Sequence, residues 1–155
     1  FLALEACNML REKQHDICWH WVGDGNQKTE IQEKICQLGL AECFCLEGNQ
    51  SNPYPYILNA DIYVQPSFYE AYSTTVTEAK VLYRPIVATD VGGMRDQLVD
   101  GKTALIVPVD ASAIAEAIAH MLDEDGIMLA FSDALKQKHC QCADALEEYE
   151  RSVFG

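Results

Sequence analysis

Short apolar segments alternate with amphipathic ones along almost the whole chain, and this alternation constrains the fold more than any other feature. Strands separated by helix-length stretches need crossover connections, hence a parallel sheet with helices on its faces. A helix is expected from Leu2 to Lys13, with Leu2, Ala6, Met9 and Leu10 on one face. A strand from Ile17 to Val22 follows and ends at Gly23-Asp24-Gly25. The next helix runs from Gln27 to Leu38, turns Ile31, Ile35 and Leu38 inward, and stops at Gly39. Cys43 to Leu46 reads as a strand, and Asn52-Pro53-Tyr54-Pro55 opens a short helix. Asp61 to Val64 is a strand ending at Pro66-Ser67, and Thr74 to Leu82 is a helix. Pro85 to Ala88 is a buried strand ended by Gly92-Gly93, Met94 to Val99 a short helix, and Ala104 to Val107 the last strand. Asp110 caps a helix carrying Ile114, Ala117, Ile118 and Met121 at helical spacing. Ile127 to about Tyr149 is a terminal helical stretch. The expected architecture is a Rossmann-like α/β sheet, residues 1–155 forming one unit, with its ligand edge at the carboxyl ends of the strands.

Composition narrows the partners. The 155 residues are 49% hydrophobic and 23% charged, ordinary values for a folded domain. Eleven Lys+Arg against 24 Asp+Glu give a formal charge of −13. A chain so acidic is a poor ligand for nucleic acid or an anionic membrane, both of which need phosphate neutralised. Its apolar runs are too short for a transmembrane helix. Seven cysteines, an odd number, occur without CxxC spacing and without a histidine at zinc-finger spacing. Cys43 and Cys45 fall in a strand, and Cys140 and Cys142 in a helix. They read as reduced thiols packed as small hydrophobes in a cytoplasmic protein. The opening Phe1-Leu2-Ala3-Leu4-Glu5-Ala6 is already mid-pattern and lacks an initiator Met, so a portion of a longer protein is expected.

The segment from Ala60 to Ala79 carries the chemistry. It reads as a strand, a polar loop and a helix with Ser73 as N-cap. The amides of Thr74, Thr75 and Val76 then lie at a helix N-terminus, which attracts anions through free N–H groups and the positive end of the helix dipole. Glu70 precedes this terminus and Glu78 lies about one turn into the helix. A carboxylate accepts hydroxyl hydrogen bonds, which suits a sugar diol. On their own, the two glutamates are read first as solvated or cap-related charges.

Glu70 and Glu78, separated by seven residues, resemble the signature of family 4 (group 1) retaining glycosyltransferases. Gly23-Asp24-Gly25, Asn52 to Tyr56, Ala60-Asp61, Pro66-Ser67, Pro85 to Gly93 and Asp100 to Pro108 fall where that family has similar residues. The resemblance implies the C-terminal, donor-binding half of a GT-B fold, with an N-terminal acceptor domain and the first strand lying upstream. It implies transfer of a sugar from a nucleotide diphosphate sugar, with retention, to a saccharide or lipid hydroxyl, as in polysaccharide or glycolipid synthesis. No essential metal or other cofactor is implied, and any membrane association would come through the acceptor domain. Glu78 would hold the ribose hydroxyls and Glu70 would orient the donor sugar. The backbone at Tyr72, Ser73, Thr74 and Thr75 would cradle the diphosphate. Gly23 and Gly25 would form a turn beside the donor, and the Leu46-Glu47-Gly48 segment would lie beside the base.

The chain also departs from that pattern. Ala71 replaces the usual Gly after the first Glu, where a positive φ would be strained. Arg95 and Asp96 stand where the family has Pro and Glu. No Lys, Arg or His occurs between Lys34 and Lys80, so the cationic diphosphate clamp is expected upstream of Phe1. The alternative is a non-catalytic nucleotide-sugar-binding module of the same fold. Gly23-x-Gly25 does not complete a dinucleotide fingerprint, because Lys28 holds the third glycine position. Asp24 alone is too little for the acidic cluster of a receiver-like domain. His15, His20, His120 and His139 read as surface or satisfied core residues, and Tyr54 and Tyr56 as packing around a proline turn.

Overall fold

The structure, a computed structural model, describes residues 1–139. Helix α1 (Leu2–Glu12) leads to β1 (Trp19–Val22), α2 (Lys28–Leu38) and β2 (Phe44–Gly48). Then follow α3 (Tyr54–Asn59), β3 (Tyr63–Gln65), α4 (Thr74–Val81), β4 (Ile86–Thr89), α5 (Met94–Gln97), β5 (Ala104–Val107) and α6 (Ala111–Asp123). Among the described residues every strand pairing is parallel, in two sheets of order β1-β2 and β3-β4-β5. Residues 127–139 are helical; the rest of the expected terminal helix, with Cys140 and Cys142, lies outside the described residues.

The expected elements form, with shifted strand ends. β1 begins at Trp19 rather than Ile17, where the Trp19 amide first donates to Cys43 O at 2.7 Å. β2 runs on to Gly48, because Val22 pairs with Gly48 across a register shift. β3 begins at Tyr63, whose amide meets Pro85 O at 2.8 Å, and continues to Gln65. Gly39 ends α2 in the left-handed conformation, φ 65°. Asp110 caps α6 by accepting from the Ala113 amide at 3.0 Å.

The three-stranded sheet is covered on both faces. Strand side chains alternate between faces. Val87 therefore joins Leu2, Ala6 and Leu10 of α1 and Ile114, Ile118 and Met121 of α6. Ile86 and Ala88 turn the other way, onto Ile57, Val76, Ala79, Met94 and Leu98 of the α3–α5 side. All four β4 residues are buried. Helix α1 ties the two sheets together, since its Ala3, Leu4 and Cys7 pack with Ile35, Leu40 and Phe44 on the β1–β2 side. Full burial of a side chain such as Leu4 or Leu10 contributes about 1.5–3 kcal/mol. No helix among the described residues is long and apolar enough to cross a membrane.

Candidate functional site

The carboxyl ends of the strands gather the polar loops on one edge. Ser73 caps α4 from extended backbone, and its Oγ accepts from the Val76 amide at 3.3 Å. This corrects the sequence reading at one atom: the Val76 N–H is occupied by the cap. The Thr74 and Thr75 amides remain as helix-terminal donors without intrahelical partners. Ser73 is buried, and Gln97 of α5 holds it from both sides. The Ser73 amide donates to Gln97 Oε1 at 2.9 Å, and Gln97 Nε2 donates to Ser73 O at 2.8 Å. Gln97 Nε2 also reaches Thr77 Oγ1 at 3.1 Å.

The loop before α4 rests on the glycine pair after β4. The Gly93 amide donates to Glu70 O at 3.0 Å. A Cβ at Gly92 would land on the Glu70 carbonyl, and one at Gly93 on the Ala71 carbonyl, so only glycine lets these backbones meet. Ala71 itself is not among the residues of positive φ, so its Cβ costs the loop no strain. Thr89, buried at the end of β4, donates to Ser67 O at 2.6 Å and anchors the start of the same loop.

Glu70 and Glu78 are both half-buried, and a polar network joins β3 to α4 near them. The Tyr63 hydroxyl donates to Gln65 Oε1 at 2.6 Å, and Thr75 Oγ1 donates to the same oxygen at 3.2 Å. The Tyr63 phenol is pushed above its usual range, first by burial and then by the charges of Glu78 and Glu70, with a Thr75 hydrogen bond opposing. Tyr72 is exposed, and its hydroxyl accepts from Thr77 Oγ1 at 3.4 Å.

The β1–β2 end supplies the neighbouring wall. The Gly23 amide donates to Gly48 O at 2.8 Å, joining the two strand ends, with φ 133° at Gly23 and 69° at Gly48. Gly25 sits in a turn closed by Asp24, whose carboxylate accepts from the Gly25 amide at 2.9 Å and Lys28 at 3.1 Å. Those two hydrogen bonds, the backbone one first, hold the Asp24 carboxyl below its usual range. The Leu46 side chain packs into the α1–α2 core, so only its backbone and the following Glu47-Gly48 reach this edge.

Helix α3 links both walls, a role that sequence reasoning missed. Its tyrosines do more than pack around prolines: the Tyr54 hydroxyl approaches Glu78 Oε1 at 3.5 Å, and the Tyr56 hydroxyl donates to Glu47 Oε2 at 3.0 Å. Glu47 also meets His20 Nδ1 at 2.7 Å, and hydrogen bonds from His20 and then Tyr56 lower its pKa. Hydroxyls two residues apart at the head of a short helix were the available signal. Gln97 offered none, because its partner Ser73 is 24 residues away. Arg95, a cation on this edge, is held by Asp90 through contacts of 2.9 and 2.6 Å.

Parallel strands, covered faces and polar loops at the strand ends define a Rossmann-like α/β protein. Residues 1–138 match the family described as Glycosyl transferases group 1, and the chain belongs to that family. It is 29% identical over 129 residues to 2-deoxystreptamine N-acetyl-D-glucosaminyltransferase of Niallia circulans, covering 81% of this chain and 32% of that protein. It is 37% identical over 114 residues to the putative teichuronic acid biosynthesis glycosyltransferase TuaC of Bacillus subtilis (strain 168), covering 74% of this chain and 27% of that protein. The chain thus spans about a third of these relatives. The crystal structure of Anabaena Alr3699/HepE in complex with UDP-glucose superposes with a TM-score of 0.78 at 18% identity, covering 90% of this chain and 40% of that one. The fold is that of the GT-B glycosyltransferases.

Proposed function

We propose that this chain is the donor-binding half of a retaining glycosyltransferase. The protein containing it would move a sugar from a nucleotide diphosphate sugar to a saccharide or lipid hydroxyl, in the cytoplasm and without an essential metal in the reaction. One observation carries the reading: Glu70 and Glu78 flank an α4 N-terminus that Ser73, Gln97 and the Gly92-Gly93 backbone fix in place. The Thr74 and Thr75 amides and the helix dipole suit a diphosphate. Glu78, on the rigid helix behind them, suits the ribose hydroxyls, and Glu70, on the loop ahead, suits the donor sugar. The α3 tyrosines join Glu78 to the β2 end, where the base would lie. A UDP-sugar is the first donor to try, since the structurally similar Anabaena protein was crystallised with UDP-glucose. The acceptor would bind a second domain facing this edge.

Calorimetric titration with UDP and UDP-glucose tests the two roles. Glu78→Ala should weaken both ligands about 10- to 100-fold, the loss of a hydrogen bond to a charged group. Glu70→Ala should leave UDP unchanged and weaken only UDP-glucose. Equal losses at both positions for both ligands would return the pair to structural charges.

A further inference from the structure

The outer face of the β1–β2 sheet carries a cluster that spacing along the chain does not disclose. Trp19 and Trp21 of β1, and Phe44 and Leu46 of β2, point into the core. Pleating sends His20 and Cys45 to the opposite face, and the two are register partners across the strands. Cys18, two residues before His20, lies on the same side. The Cys18 Sγ is 3.4 Å from His20 Nε2, and one ligand atom from each of Cys18, His20 and Cys45 lies within 4.8 Å of the others. Cys18 and His20 are solvent-exposed, so an ion can reach them.

The histidine is oriented from behind. The Glu47 carboxylate lies 2.7 Å from His20 Nδ1 and can only accept, so the proton is on Nδ1 and the Nε2 lone pair faces Cys18. Tyr56 fixes Glu47 in turn, at 3.0 Å. A carboxylate behind a histidine is the arrangement that sets tautomer and ring angle at metal sites. Bond lengths near 2.3 Å to sulfur and 2.0–2.1 Å to nitrogen give a tetrahedron whose S···N edge is about 3.6 Å and S···S edge about 3.8 Å. The Cys18–His20 pair already sits near that edge length, and Cys45 lies within 4.8 Å of both.

We infer that Cys18, His20 and Cys45 form a binding site for a thiolate-preferring divalent cation of the zinc class, oriented by Glu47, with a fourth position open to solvent. Two thiolates and an imidazole favour Zn²⁺ over Mg²⁺ or Ca²⁺, which prefer oxygen. Each thiol loses its proton to the solvent as its Zn–S bond forms, and nothing is oxidised. The site would staple β1 to β2 and hold Glu47 in place.

The test is titration of the full chain, reduced and stripped by a chelator, with Zn²⁺ against a chromogenic competitor, and separately with Co²⁺. One Zn²⁺ per chain should bind and raise the melting temperature. Co²⁺ should give the charge-transfer absorption of a cobalt–thiolate bond. The Cys18→Ser/Cys45→Ser double variant should lose both signals, Cys36→Ser on α2 should keep them, and Glu47→Gln should weaken binding about 10- to 100-fold. Weak or superstoichiometric Zn²⁺ binding, a cobalt spectrum without thiolate character, or signals that survive the double variant would overturn the proposal. So would a Cys18–Cys45 disulfide that persists under reducing conditions and excludes the metal.

Discussion

The two sheets of this molecule are built differently. In β3-β4-β5 the central strand is buried on both faces, between α1 and α6 on one side and α3, α4 and α5 on the other. In β1-β2, among the described residues, one face meets a core, and the four residues of β1 are half-buried or exposed. Polar groups follow the same division. At the three-stranded sheet, buried Ser73 and Gln97 satisfy each other and buried Thr89 holds Ser67 O, which fixes the α4 terminus and the Glu70 loop. At the two-stranded sheet, Cys18, His20 and Glu47 meet near solvent. A rigid edge can hold a ligand in one geometry, whereas an open face leaves its groups free to rearrange around an ion.

Cutting into each sheet should expose this difference most strongly. Ile86→Ala in β4 should destabilise the chain by about 3 kcal/mol, because it opens a cavity among fully buried neighbours. Val22→Ala in β1 should cost about 1 kcal/mol or less, because Val22 is only half-buried. Urea denaturation of both variants makes the comparison, and equal losses would mean that the two sheets are equally anchored.

The next effect sharpens the role of buried polarity. Gln97→Leu keeps much of the side-chain volume but leaves the buried Ser73 amide without its partner, while Ser73 O keeps the Thr77 amide at 3.2 Å. A stability loss of about 2 kcal/mol is expected. UDP affinity should fall with it if the α4 terminus is the phosphate cradle. Stability lost with UDP affinity intact would separate the network from the site.

The smallest effect lies on the exposed rim. Hydrogen bonds from Arg95 hold the Asp90 carboxyl below its ordinary value of 3.8. Because the folded-state value is depressed, the pair stabilises the fold above the ordinary value, and that contribution is lost as the pH falls through the depressed one. In Arg95→Leu the Asp90 midpoint, followed by NMR, should rise, because the hydrogen bonds that depress it are gone. Stability near neutral pH should change little, as expected for an exposed ion pair. An unmoved midpoint would show that Arg95 does not engage Asp90 in solution.

Local pattern was enough for the α/β class, the order of elements and the Ser73 and Asp110 caps, because periodicity and capping depend on residues close in the chain. Glu70 and Glu78 stood out through their resemblance to the group 1 glycosyltransferase signature, since the residues alone also fit solvated or cap-related charges. Strand ends were less legible: β2 reaches Gly48 because Val22 pairs with it, a partner distant in sequence. The same reason hid the rest. Gln97 acts on Ser73, the Gly92-Gly93 pair receives the Glu70 loop, α3 presents Tyr54 and Tyr56 to Glu78 and Glu47, and Cys45 meets Cys18 and His20. Each is a contact between elements. Sequence fixes which groups a strand or helix can offer, but only the packing of one element on another decides which of them meet.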